Sequence, residues 1–345
     1  TVLLIRYIIG DVMLSAPLVN KVYLASGSVH RDLAEKIAAQ MGVTLQNDEI
    51  KTFPSGERYF RYSESVRGKH VLIIQSLVTS ESGTVNDALM ELILMIDAAR
   101  RASAREITVV MPYMAYMRQD RKAIGREPIS AAAVINMLQR TGADRLVSVD
   151  MHSAQTQAVF DGPFDHLTAE GVIRSKLSAK IAGNNDDFII VSPDGGRAKV
   201  SEIYAEELVI DVAHMPKRRD KEDSSVIKHP DFISDVKGKT CILIDDLIDT
   251  AGTIVSAAEV LKRSGARKVI VAATHGVLSN PALERLNNPA VSELMLTDTI
   301  PLRKAKIALK NKLVIIPSAP TIASSLEAIV SRDSLLQLFE GRNYL

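Results

Sequence analysis

From Lys21 onward, short apolar runs rich in β-branched residues alternate with segments whose apolar residues recur at helical spacing. Residues 22–25, 71–75, 107–111 and 145–150 read as strands, and 31–41, 85–101 and 129–140 as helices. Leu33, Ile37 and Met41 share one helix face, and Gly42 stops that helix. The 53–57 stretch reads as a hairpin bend ahead of 58–62. After Gly162-Pro163 the cycle restarts, with helices at 171–182 and 197–208 and strands at 188–192, 209–213, 240–244, 268–273 and 293–296. Strict alternation of this kind predicts an α/β chain with parallel sheets flanked by helices, arranged as two doubly wound domains. The expected division is an N-terminal extension at 1–20, a first domain at 21–166 and a second at 167–322. A helix at 321–330 is expected to bring 323–345 back onto the first domain. Apolar as residues 1–20 are, Gly10, Asp11 and Pro17 interrupt them, which argues against a secretory signal.

Composition narrows the function classes. With 345 residues the chain is comfortable for two domains. A formal net charge of +1 gives no electrostatic reason to expect nucleic acid or an acidic membrane as partner. No run approaches the roughly 20 apolar residues of a spanning helix. The single cysteine, Cys241, excludes an intrachain disulfide framework and fits a reducing, cytoplasmic setting; inside an apolar strand it reads as a small hydrophobe, not a nucleophile.

The most specific stretch runs from Cys241 to Thr253. A buried strand is expected to end at Ile244, followed by the carboxylates Asp245 and Asp246, a small-residue turn through Asp249, Thr250, Ala251, Gly252 and Thr253, and a helix. Unpaired N–H groups at such a helix start face the carboxyl edge of the sheet, where they hold a phosphate. Thr250 and Thr253 add hydroxyl donors. An acidic pair beside a phosphate nest makes sense where it binds sugar hydroxyls or a cation, as a five-carbon sugar phosphate requires. The loop is too short for a Walker motif and lacks its lysine.

Other clusters carry matching chemistry. Arg118-Gln-Asp-Arg-Lys122 gathers three cations and an amide, suited to a polyphosphate, with Gln119 able to read a base or ribose edge. His152, in Asp150-Met-His152, and Asp194, in Ser192-Pro-Asp194, each follow a predicted strand and read as divalent-metal positions. Without HExxH or CxxC spacing, oxygen-rich surroundings near phosphates favour Mg²⁺ over zinc. Lys217-Arg-Arg219 lies in a charged stretch too polar for a core, expected to be a mobile loop that closes over a reacting phosphate.

These residues carry a resemblance. The 241–253 stretch is similar to the phosphoribosyl-pyrophosphate motif shared by type I phosphoribosyltransferases and ribose-phosphate pyrophosphokinases. Ordered matches at 86–98, 101–104, 118–122, 125–130, 149–152, 192–194, 217–219, 274–277 and 299–302 make residues 53–339 resemble the pyrophosphokinases. Phosphoribosyltransferases share only the phosphate loop and its sheet, and a catalytically silent homologue would be expected to have lost loop residues that this chain retains. The resemblance implies two domains of the type I phosphoribosyltransferase kind and pyrophosphoryl transfer from ATP to the C1 hydroxyl of ribose 5-phosphate. It implies ATP contacts from Arg118 and Gln119, and from Phe53, Ser55, Gly56 and Glu57 of a neighbouring subunit in a homohexamer. Asp249 to Thr253 would hold the 5-phosphate, with Asp245 and Asp246 near the ribose hydroxyls. His152 and Asp194 correspond to Mg²⁺ positions, Lys217 to the catalytic lysine, and Arg219 to a residue that binds the sugar phosphate and stabilises the transition state. The family usually has Asp or Asn where this chain has Ser55.

Overall fold

The structure, a computed structural model, describes residues 16–193, 195–215, 218–219, 227–228 and 236–339. The chain forms two compact units. One holds the chain up to Thr168, with Thr299–Pro301 and the segment from Ser318 onward; the other holds Ala169–Asp298 and Leu302–Pro317. Both are α/β units built on parallel sheets, as the alternation predicts.

In the first unit, β1 (Val22–Ser26) leads into α1 (Arg31–Met41) and then into an antiparallel hairpin of β2 (Glu49–Thr52) and β3 (Arg58–Arg61). β4 (His70–Ile74), α2 (Val85–Arg101), β5 (Glu106–Met111), α3 (Ser130–Thr141), β6 (Arg145–Val149) and β7 (Phe164–Leu167) follow. The parallel sheet has the order β1-β4-β5-β6-β7. All five residues of β1 and of β4 are buried, as strands covered on both faces must be. Local signals set the helix ends. Gly42 caps α1 in the left-handed conformation, its N–H reaching Ala38 and Ala39 carbonyls. Thr84 and Asp87 form a reciprocal capping box at the start of α2, and Arg100 and Arg101 occupy its last turn.

The second unit contains α4 (Glu170–Ile181), β8 (Phe188–Ser192), α5 (Ala198–Leu208), β9 (Asp211–His214), β10 (Arg218–Arg219), β11 (Ile227–Lys228), β12 (Thr240–Ile248), α6 (Gly252–Arg263), β13 (Lys268–Gly276), α7 (Ala282–Leu286), β14 (Glu293–Thr297), α8 (Arg303–Leu309) and β15 (Leu313–Ile316). Its six-stranded parallel sheet has the order β15-β14-β13-β12-β8-β9, and β10 pairs antiparallel with β11. The order reverses at β8: β9 lies on one side of it and β12 on the other. Ligands of open α/β sheets bind outside the carboxyl ends of the strands at such a reversal. Apolar side chains of β8, β12, β13 and α6, among them Val191, Leu243, Ile254, Leu261 and Val271, form one buried cluster beneath that edge. The helix α9 (Ala319–Ser331) returns to the first unit and packs on α1.

Three sequence expectations are corrected. β12 does not stop at Ile244. It continues to Ile248 because β13 keeps pairing with it as far as Ile248↔Gly276, so Asp245 and Asp246 lie inside a strand. No strand is expected at 164–167, yet this segment forms β7, the edge strand of the first sheet, whose Asp165 pairs with Arg145 of β6 at 2.5 Å. β9 begins at Asp211, not 209, because Val209 caps α5 in the left-handed conformation.

Candidate functional site

At the reversal in the second unit, β8 pairs with β12 only from Thr240↔Phe188 to Leu243↔Val191. Beyond Leu243, β12 is paired on its β13 side alone. The edge that faced β8 therefore opens where the two carboxylates stand. The chain leaving β8 turns through Gly195–Arg197 into α5, and Arg197 reaches across. Its Nε lies 3.1 Å from Asp245 Oδ1, and its Nη2 pairs with Asp246 Oδ1. The Asp246 N–H also donates to Asp245 Oδ1 at 2.9 Å. Burial pushes the Asp245 carboxyl up to about 7; the Asp246 charge adds to the rise and Arg197 opposes it.

Past Ile248 the chain bends through Asp249 and Thr250 and enters α6 at Gly252. Ala251 makes the bend with φ 60° and ψ 7°, a left-handed conformation in a buried residue that is not glycine. The Val255 N–H donates to the Ala251 carbonyl at 3.1 Å. The N–H groups of Gly252, Thr253 and Ile254 thus lie ahead of the helix ladder, at the end of a helix that can hold an anion. Arg285 Nη1 donates to the Thr250 carbonyl at 3.0 Å, and the Leu278 N–H to the Ile248 carbonyl at 3.1 Å, tying the loop from outside. A Cβ on Gly252 would meet Arg285 Nη1 at 3.2 Å. Cys241 is fully buried and its thiol is pushed up to about 12, in keeping with an inert core residue.

The first unit holds the other candidates. Between β2 and β3, the Gly56 N–H donates to the Phe53 carbonyl at 2.8 Å, closing a turn with Pro54 and Ser55 at its centre. Ser55 Oγ donates to Glu57 Oε2 at 2.9 Å, and the whole 53–57 bend is exposed. Arg118 is exposed on the loop between β5 and α3; Gln119 is anchored at the start of α3, its side chain bonded to Ser130 Oγ and its carbonyl accepting from the Ala131 N–H at 3.2 Å. After β6, Asp150 takes φ 36°, and the Met151 N–H donates to His166 Nε2 at 2.7 Å, which holds the turn carrying the exposed His152.

Thus the described residues of the second unit bring together Asp245, Asp246 and the 249–253 loop. Phe53, Ser55, Gly56, Glu57, Arg118, Gln119 and His152 belong to the first. Asp194 and Lys217, and the side chain of Arg219, lie outside the described residues. Arg197 was not among the sequence candidates; its signal is a cation three residues beyond a strand-end aspartate in the turn that opens a helix. Among the described residues, no group of three or more His, Cys, Asp or Glu side chains is placed to hold a metal ion. No described helix is long and apolar enough to cross a membrane.

A left-handed turn at a helix start, beside paired acids at the reversal of a parallel sheet, marks the candidate site of an α/β protein. Comparison with known proteins gives the family. The pattern for the N-terminal domain of ribose phosphate pyrophosphokinase matches residues 22–142, and that for the phosphoribosyl synthetase-associated domain matches 205–340. The chain is 44% identical to the ribose-phosphate pyrophosphokinase of Bifidobacterium longum over 318 residues, 92% of each chain. It is 42% identical to that of Streptomyces avermitilis over 321 residues, 93% of this chain and 97% of the relative. The crystal structure of phosphoribosylpyrophosphate synthetase from Mycobacterium smegmatis superposes with a TM-score of 0.82 at 40% identity, covering 90% of this chain and 99% of that one. The chain belongs to the ribose-phosphate pyrophosphokinases. These transferases move the pyrophosphoryl group of ATP to the C1 hydroxyl of ribose 5-phosphate, giving phosphoribosyl pyrophosphate and AMP for nucleotide biosynthesis.

Proposed function

We propose a division of this reaction among the residues of the chain. The N–H groups at the start of α6, with the Thr250 and Thr253 hydroxyls and Asp249, hold the 5-phosphate of ribose 5-phosphate. Asp245 and Asp246 accept hydrogen bonds from the ribose hydroxyls. Arg118 and Gln119 bind ATP, and the exposed bend of Phe53, Ser55, Gly56 and Glu57 completes the ATP site of a neighbouring subunit in a homohexamer. The C1 hydroxyl oxygen attacks the β-phosphorus and gives up its proton, while the bond between that phosphorus and the α-phosphate bridging oxygen breaks and AMP leaves. Lys217 and Arg219 neutralise charge that develops on the transferred group. Chemistry of this kind depends on positioning and charge neutralisation more than on a protein nucleophile.

The donor set suits a magnesium ion held largely by substrate. As magnesium positions, His152 would offer a nitrogen and Asp194 a carboxylate, each leaving most of an octahedral shell to phosphate oxygens and water. When bound, the ion would offset phosphate charge. A reducing cytoplasm fits the lone buried cysteine.

The observation that carries this reading is the left-handed bend at Ala251, which sets three helix-start N–H groups beside two carboxylates. Steady-state kinetics test it. Asp249→Ala and Thr253→Ala remove contacts made before reaction as well as during it, so KM for ribose 5-phosphate should rise markedly. Lys217→Ala should lower kcat about 10²–10³-fold with a smaller change in that KM. A Lys217→Ala enzyme altered in KM alone would make Lys217 a binding residue, and an unaltered one would remove it from the mechanism.

A further inference from the structure

Adjacent residues of a strand point to opposite faces. Asp245 and Asp246 follow one another in β12, yet a single guanidinium reaches both. That geometry exists only because β8 releases the edge of β12 after Leu243 and the chain turns back through Gly195–Arg197 at that point. Arg197 comes in over the open edge, where carboxylates directed to either side remain within reach of one fork.

An electrostatic problem gives the contact its purpose. Two carboxylates beside a phosphate nest oppose the anion the nest is built to hold, and each carboxylate disfavours ionisation of the other. A protonated acid loses much of its capacity to accept hydrogen bonds from a sugar. We infer that Arg197 is a positioning residue for ribose 5-phosphate: its guanidinium fork aligns Asp245 and Asp246 as acceptors for the ribose hydroxyls and favours their ionised forms. This rests on the ribose role proposed above for the two acids. A lysine ammonium keeps the charge but lacks the planar fork that satisfies two acceptors at once.

The bland alternative is an ion pair that merely ties the start of α5 to the sheet. Exposure argues against it. The side chains of Arg197, Asp245 and Asp246 remain 23%, 25% and 10% accessible, so water still reaches the cluster and limits what the ion pairs add to stability. The loss on removing Arg197 should therefore appear in substrate binding, not in folding.

The test uses the full chain in four forms beside the parent: Arg197→Met, Arg197→Lys, Asp246→Asn, and Arg197→Met combined with Asp246→Asn. For each, KM for ribose 5-phosphate, KM for ATP, kcat and Tm are measured. Arg197→Met should raise KM for ribose 5-phosphate about 30-fold, the low end of what truncating one partner of a hydrogen-bonded charge pair costs. KM for ATP should stay within about twofold. Arg197→Lys should fall between Arg197→Met and the parent, with Tm unchanged, and this arm stands even if Arg197→Met folds poorly. In the Asp246→Asn background the Arg197→Met penalty should shrink, because the two residues act as one unit. An unchanged KM in both Arg197 variants, full additivity with Asp246→Asn, or a loss confined to Tm would each overturn the inference. If Asp246→Asn alone leaves KM for ribose 5-phosphate unchanged, the ribose role of the acids fails first, and the inference with it.

Discussion

Replacing Ala251 by valine, with glycine as the control, tests whether the phosphate turn depends on one strained residue. Ala251 has φ 60° and is 6% exposed, immediately ahead of α6. An L-residue in the left-handed region carries a penalty of roughly 1–2 kcal/mol, and a β-branched side chain fits there worst of all. Valine also adds two carbons at a buried position, an overpacking cost of about 1–3 kcal/mol. With about 1 kcal/mol of added backbone strain, the sum is about 2–4 kcal/mol. The loop can escape that cost by abandoning the left-handed bend, and then the helix-start N–H groups no longer converge on the phosphate. At 1.4 kcal/mol per factor of ten, KM for ribose 5-phosphate should rise about 30- to 700-fold. Glycine relieves about 1 kcal/mol of strain. It loses a buried methyl worth about 0.8 kcal/mol and gains unfolded-chain entropy worth about 0.4–1 kcal/mol. The net is below about 1 kcal/mol, so Ala251→Gly should keep KM within about threefold of the parent. The assay is initial velocity against ribose 5-phosphate at saturating ATP, with Tm recorded for each protein. A valine variant with parental KM and parental Tm would refute the reasoning.

Three further outcomes follow from named groups. With the Asp245 carboxyl near 7, kcat/KM for ribose 5-phosphate should climb as pH rises through about 7, and Asp245→Asn should remove that inflection. The raised value also means that the folded state keeps a proton the unfolded chain has released, so this group's contribution to stability falls between about pH 4 and 7. Glu327 in α9 is buried, and burial raises its carboxyl to about 7; Glu327→Gln should raise Tm at pH 8 and change it little at pH 5.5, and equal shifts at both would exclude the charge as cause. Glu91 is fully buried and accepts from Ser28 N–H at 2.6 Å, Ser28 Oγ at 2.9 Å and Gln75 Nε2 at 2.8 Å, with Arg58 Nη1 at 3.5 Å. Glu91→Ala leaves these donors and a nearly buried guanidinium without it, so chemical denaturation should show a loss of about 3–5 kcal/mol; a loss under about 1 kcal/mol would contradict that account.

Elements whose cause is local were legible in the sequence. Leu33, Ile37, Met41 and Gly42 are sufficient to bound α1, and the apolar run of β8 is found at 188–192 as read. Elements whose cause is a neighbour were not. Phe164–Leu167 contains Asp165 and His166 and lacks a strand's apolar signature; it pairs because β6 offers an edge. The short run Leu313–Ile316 went unread, and it forms the edge strand beside β14. Asp245 and Asp246 look like the end of a strand, since two acids seldom sit in a buried one, and only the continued pairing of β13 keeps them there. The 249–253 loop was readable as a motif because its residues are contiguous. Arg197 was harder to read, because its local signal is a single cation in a turn and its partners lie some fifty positions away.

The return of α9 to α1 has a consequence for how the chain is made. A ribosome delivers β1 through β7 early, yet the helix that covers α1 emerges only after the whole second unit. At about 5–20 residues per second, that interval is on the order of ten seconds. Throughout it, apolar side chains of α1 lack a cover that the finished molecule supplies, while the second unit emerges with most of its partners close behind. Premature termination ahead of Ala319 would yield a chain complete in its 249–253 loop but lacking the helix that packs on α1.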